Sequence, residues 1–281
     1  MVAYFNGQFV PKEEIRISPD DRGFLFGDGL YDATAGYGGK FLALDRHLAR
    51  LEHGLHEVGI AGIDVHSLAP VHYELLRRNG LEDTWALVYV QVTRGVAPRG
   101  HAFPAPSVPP TVYAYASAVV TRYDPIKGVK AITTPDIRWS RCDLKTVNLM
   151  PNCWAKTQAR DAGAFEAIFI RDGVAVEGTH TSLFAVIDGV VCTGPKSNYL
   201  LPSVTRELVL DLCRRNNIAS CETPVHLAYL RRAEEVFLAG TTSEVLPVVD
   251  LDDVPVGGAS IGPTTRRIQR LFRELTRTGT S

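Results

Sequence analysis

Between Asp45 and Gly59 the chain places Leu48, Leu51, Leu55 and Val58 on one face of a 3.6-residue repeat. That spacing predicts an amphipathic helix, with Asp45 able to cap its start and Gly59 its end. A second helix is expected over 68–78. The stretches "TWALVYVQVTRG" and "TVYAYASAVV" are rich in β-branched and aromatic residues and read as strands. Asn6-Gly7 between "VAYF" and "QFV" signals a hairpin, and so do Asp172-Gly173 and Asp188-Gly189 further on. A strand at "VKAIT", a helix over 152–162, a helix in "SVTRELVLDLCRRNN" with Ser203 as N-cap, a strand in "EEVFLAGTT" and a closing helix from Pro263 complete the pattern.

These elements predict an α/β (α+β) chain in two parts. An N-terminal α+β domain spans 1–120, the stretch 121–127 is a linker, and a second domain spans 128–281. With 281 residues, 45% of them hydrophobic and 22% charged, the chain has the makings of a soluble globular protein with a real core. Its net charge of −1 calls for neither nucleic acid nor an anionic membrane. The five cysteines are odd in number and form no CxxC, so they are read as free buried thiols in a reducing, cytoplasmic setting. No apolar run has signal-peptide or membrane-spanning length.

Candidate chemistry gathers at a few places. Lys145 lies in "DIRWSRCDLKTVNLMPNCWAK" among apolar neighbours; a buried lysine amine can be held neutral, as nucleophile or base, whereas a loop lysine cannot. Glu177 ends a hairpin strand in "VAVEGTHTSLF" and is either an acceptor aimed into a cleft or a solvated strand end. "LPSVTRE" opens a helix, where free amides of Val204 and Thr205 and the helix dipole suit an anion; "AGTTSE" offers a second small-residue turn with Thr241. Arg99-Gly100-His101, in a Pro-rich loop, and Tyr31, in "FLFGDGLYDA", suit a carboxylate ligand. His47, His53 and His56 share a helix, but no third ligand completes a zinc set. Neither a P-loop nor a G-x-S-x-G elbow is present.

Taken in order, "ISPDDRGFLFGDGLYDA", the Lys145 segment, "EGTHTSLF", "LPSVTRE" and "AGTTSEVLPV" resemble the class IV pyridoxal-phosphate aminotransferases, most closely the D-amino acid aminotransferases. The resemblance covers nearly the whole chain. It implies a fold type IV homodimer, with a smaller N-terminal domain, a larger pseudo-barrel domain and the cofactor, pyridoxal 5′-phosphate, between them. By the same resemblance Lys145 holds the cofactor as an imine and shuttles the substrate proton. Glu177 meets the pyridine nitrogen and Leu201 packs on the ring. Arg50, Val204, Thr205 and Thr241 bind the phosphate. Tyr31, Arg99 and His101 hold the substrate carboxylate, the last two reaching into the neighbouring subunit's site. Arg138 joins the polar network near the ring. The implied reaction is ping-pong transamination of D-amino acids such as D-alanine with a 2-oxo acid such as 2-oxoglutarate. The alternatives are an (R)-amine or branched-chain transaminase, a 4-amino-4-deoxychorismate lyase, or a relative without catalysis. His180, Ser182, Ser203 and Gly240 depart from the commoner family residues.

Overall fold

In the computed structural model, which describes residues 1–121 and 123–278, Asn6 and Gly7 both take positive φ and turn β1 (Val2–Phe5) back onto β2 (Gln8–Pro11). Positive φ at both central residues is the twist that matches paired strands, which is why Asn-Gly serves there. The chain then forms α1 (Arg22–Phe26), β3 (Gly29–Tyr37), β4 (Lys40–Phe41), α2 (Leu44–Glu57), α3 (Leu68–Arg78), β5 (Trp85–Thr93) and β6 (Thr111–Ala118). The six strands make one sheet in the order β2-β1-β6-β5-β3-β4. They are antiparallel at every pairing.

Strand alternation decides the two faces of this sheet. Val88, Val90, Val92, Ala114 and Ala116 are buried with Leu48, Leu51 and Leu55 of α2 and Leu68, Leu75 and Leu76 of α3. Each such leucine stabilises the fold by about 1.5–3 kcal/mol. The alternate positions Tyr31, Tyr89, Gln91, Tyr113 and Tyr115 are only half-buried. Their rings form a ladder, Tyr31 on Tyr89 at 5.4 Å and Tyr89 beside Tyr115 at 5.4 Å. The α2 start differs from expectation. Its N-cap is Ala43, in the left-handed region at φ 51°, and Asp45 sits inside the first turn. Gly59 does end the helix, at φ 66°, with Ile60 N donating to Leu55 O.

The remaining elements are β7 (Val129–Pro135), α4 (Met150–Asp161), β8 (Glu166–Arg171), β9 (Val174–Gly178), β10 (Ser182–Ile187), β11 (Val190–Thr193), α5 (Val204–Arg215), β12 (Ser220–Glu222), β13 (Val225–His226), α6 (Leu227–Leu230), β14 (Glu235–Gly240), β15 (Glu244–Leu251), β16 (Val254–Pro255) and α7 (Pro263–Thr278). The sheet order is β12-β11-β10-β14-β15-β7-β8-β9-β13, with β16 on β15. A further pairing of β9 with β10, Ser182 opposite Glu177, closes β10-β14-β15-β7-β8-β9 into a ring. Ile168, Leu183, Ala185, Leu238, Leu246 and Val248 belong to its buried core.

By contacts the chain forms two compact units. One holds Met1–Val120 and the short stretch Leu144–Asn148; the other holds Thr121–Asp143 and Leu149–Thr278. The sequence pattern predicts a second domain unbroken from residue 128. Leu144–Asn148 instead lies along β3 as a bent loop, joined to it by one isolated antiparallel bridge between Leu30 and Thr146. Tyr31 N donates to Lys145 O at 3.0 Å and Val147 N to Gly29 O at 3.0 Å. Arg122, in the expected linker, and residues 279–281, at the end of the expected second domain, lie outside the described residues.

Candidate active site

Lys145 is the residue that this bridged loop delivers. It is half-buried, and its Nζ stands 4.3 Å from the centre of the Tyr31 ring. An exposed loop lysine, the plain alternative, is therefore not what the chain builds. Tyr31 leaves β3 on the half-buried face, one residue before Asp32, whose side chain points the other way and is enclosed. Asp32 accepts from Arg50 Nε at 2.9 Å and from Arg50 Nη2 at 2.9 Å. His47 Nδ1 is 2.7 Å from the same carboxylate. Burial alone would raise the Asp32 carboxyl, but Arg50 and then His47 hold it well below the ordinary carboxylate range. Burial also lowers the His47 imidazole, and Asp32 offsets only part of that. The i, i+3 spacing of His47 and Arg50 on α2 lets both reach one carboxylate. The guanidinium is thus fixed by a buried anion, which orients it as a flexible surface arginine cannot be.

Arg99 and His101 are brought together on the loop between β5 and β6, and both are exposed. They flank one ring: the Arg99 guanidinium is 5.2 Å and the His101 ring 5.9 Å from Phe26. The loop beneath them is anchored. Arg22, buried, donates from Nη1 to Gly100 O at 2.7 Å, and Arg94, buried, lies 3.6 Å from the Phe103 ring. Each also gives its Nε to the same oxygen of Asp28, at 2.8 Å and 2.8 Å.

In the other unit, Glu177 is 5% exposed at the end of β9. Its Oε1 accepts from Arg138 Nη1 at 2.6 Å and its Oε2 from Leu201 N at 3.2 Å. Glu177 is thus no solvated strand end. Arg138 is itself held by Asp136 through Nε, at 2.9 Å, and Nη2, at 2.9 Å. Leu201 therefore meets Glu177 through its backbone. Ser203 caps α5, its Oγ accepting from Arg206 N at 3.2 Å. Val204 and Thr205 occupy the first two helical positions, where amides have no acceptor within the helix. Thr241 follows Gly240 in the three-residue turn from β14 to β15.

Sequence reasoning missed Glu166, the first residue of β8. It is fully enclosed, and four neighbours serve its carboxylate. Thr179 Oγ1 donates at 2.5 Å, Thr181 Oγ1 at 2.9 Å and Ala167 N at 3.0 Å, while His180 Nδ1 lies 2.8 Å away. Burial would raise this carboxyl, yet His180, with help from Lys156 and Thr179, brings it down to about 2. The turn directly after Glu177 is thereby pinned from inside. A Cβ at Gly178 would strike both Thr181 Oγ1 and Glu166, so only glycine fits against that pair. The one hint in the sequence is an acid opening an otherwise apolar strand.

A strand-closed ring and a six-stranded α/β unit in one chain are the architecture of fold type IV enzymes. The model of the amino-transferase class IV family matches residues 29–251, and the chain belongs to that family. It is 37% identical to the D-alanine aminotransferase of Staphylococcus haemolyticus over 273 residues, 96% of each chain. It is 38% identical to the D-alanine aminotransferase of Bacillus licheniformis over 271 residues, 96% of this chain and 95% of that one. Among solved structures, the Escherichia coli branched-chain amino acid aminotransferase superposes with a TM-score of 0.92 at 23% identity, covering 100% of this chain and 96% of that one. The branched-chain aminotransferase of the archaeon Thermoproteus uzoniensis, solved with norvaline, gives 0.88 at 22% identity, covering 100% and 96%.

Proposed function

We propose that this chain is a pyridoxal-phosphate-dependent transaminase of D-amino acids, taking D-alanine as donor and a 2-oxo acid such as 2-oxoglutarate as acceptor. The observation that carries the reading is the Lys145 amine beside the Tyr31 ring: one strand pairing brings the reacting amine next to a proposed carboxylate anchor. The donor set fits the cofactor. Lys145 supplies the amine, Glu177 an enclosed carboxylate, and Val204 and Thr205 two amides without helical acceptors. With Arg50, Leu201 and Thr241 these are the residues that would hold it.

When bound, pyridoxal phosphate supplies a protonated ring that takes up the electron pair left at the substrate Cα. With the cofactor in place, the Lys145 amine would serve as the base that takes the substrate Cα proton and as the acid that gives it back. Glu177 would hold a proton at the ring nitrogen, its carboxylate fixed in place by N–H donors from Arg138 and Leu201. Arg50, oriented by Asp32, and the α5 amides bind the phosphate. Leu201 would pack on the ring and exclude water from it. Tyr31, Arg99 and His101 hold the substrate carboxylate. The donor leaves as its 2-oxo acid before the acceptor enters, so the two half-reactions are separable.

The same reading makes the enzyme a cytoplasmic homodimer. The exposed Arg99 and His101 are held on an anchored loop against Phe26, a presentation suited to the site of a second copy. The half-buried tyrosine ladder supplies the amphipathic surface on which copies would meet. None of the five cysteines is in a disulfide, in keeping with a reducing compartment.

Mixing the purified holoenzyme with D-alanine or with L-leucine and following cofactor absorbance tests the assignment. D-alanine alone should convert it to the amine form. A response to L-leucine alone would overturn the stereochemical reading. Lys145→Ala should abolish both the lysine-linked absorbance and turnover.

A further inference from the structure

β11 and β12 run parallel, and their register sets Cys192 opposite Cys221. The two sulfurs are 3.3 Å apart, with Cys221 Sγ donating to Cys192 Sγ. Register partners on adjacent strands have Cα atoms about 5 Å apart, within the span a disulfide bridges. Cys192 is buried and Cys221 half-buried, so an oxidant from solvent reaches Cys221 first. Burial, then the hydrogen bond from Cys221, pushes the Cys192 thiol up to about 12, so it waits as a neutral thiol. The remaining thiols differ: Cys142 and Cys213 are buried and Cys153 is exposed. β12 is a three-residue strand at the edge of its sheet. Closing the last ångström between the sulfurs therefore asks for movement of a short outer strand and leaves the ring alone.

We propose that Cys192 and Cys221 are a modification site, forming a disulfide on exposure to hydrogen peroxide. The Cys221 sulfur attacks one peroxide oxygen, the O–O bond breaks, and the products are Cys221 sulfenic acid and water. The Cys192 sulfur then attacks the Cys221 sulfur, the S–O bond breaks, and the departing hydroxide takes the Cys192 proton as a second water. Two thiols are oxidised and one peroxide is reduced to two waters. The bond closes a loop over 193–220, which contains α5 and its capped start. Oxidation would therefore tether the segment that carries Val204 and Thr205. Nothing in the step depends on the transaminase assignment.

The test uses the holoenzyme treated with hydrogen peroxide, digested without reductant and read by mass spectrometry. A peptide joining Cys192 to Cys221, reversed by dithiothreitol, is expected, and it should be lost in Cys221→Ser. In Cys192→Ser the sulfenic acid at Cys221 has no thiol to meet, so dimedone should label it; Cys192→Ala serves if serine is not tolerated in that buried strand. Overturning results would be oxidation of Cys153 with no joined peptide, or Cys221 advancing to sulfinic acid while Cys192 remains a thiol.

Discussion

Glu166 has no exposed surface, yet its surroundings keep it charged. Its folded pKa of about 2 lies below the ordinary value of 4.5. Stability from this group is therefore fully present above about pH 4.5 and is lost as pH falls toward 2. Glu166→Gln should cost on the order of 3 kcal/mol near neutrality. The gap between variant and wild type should narrow on acidification, as read from denaturant unfolding between pH 6 and about 3. A gap that stays constant with pH would mean Glu166 contributes through packing alone. Little of this was legible beforehand. Thr179, His180 and Thr181 are visible as a polar run after Glu177, but the anion beneath them comes from another strand. His180 meets this anion with Nδ1 at 2.8 Å, a contact that the polar run by itself does not announce.

Elements governed by local chemistry were legible. Asp172-Gly173 and Asp188-Gly189 turn their hairpins with both residues at positive φ, as that dipeptide favours. Ser203 caps α5 because a short hydroxyl side chain can accept from an amide three residues on. Ser203→Ala should lower stability by about 1 kcal/mol, seen as a drop in Tm of the cofactor-free protein. It should also weaken phosphate binding, since the first turn carrying Val204 and Thr205 would fray. An unchanged Tm would show the cap to be idle. Asp45 misleads because a carboxylate near a helix start suits the dipole whether or not it caps; here Ala43 makes the turn and Asp45 rides in the first turn. The strand β3 escapes the pattern because "GLYDATAGY" mixes glycine, aspartate and alanine. Its pairing along all nine residues with β5 supplies what propensity does not.

For the whole molecule, the family and the separation into strands and helices were readable from ordered motifs, whereas the excursion of Leu144–Asn148 to β3 was not. That excursion is a long-range pairing, and periodicity carries no record of which edge a short segment will join. The tyrosine ladder likewise becomes a surface only when β3, β5 and β6 lie side by side. If it is the face on which two copies meet, Tyr89→Asp should yield a monomer by light scattering. D-alanine turnover should then fall roughly a hundred-fold or more, while the lysine-linked absorbance persists. A dimeric Tyr89→Asp protein would move the contact elsewhere.

Arg22 and Arg94 converge on one oxygen of Asp28. Exchanging that residue for Asn would leave two enclosed cations facing an uncharged amide, and their mutual repulsion would unseat the strip of chain bearing Gly100 and Phe103. KM for D-alanine should rise more than kcat falls, because the damage reaches ligand capture ahead of proton transfer. If that loop holds the substrate, a single carboxylate oxygen works as a remote tuning screw for substrate choice, away from any group that the substrate meets.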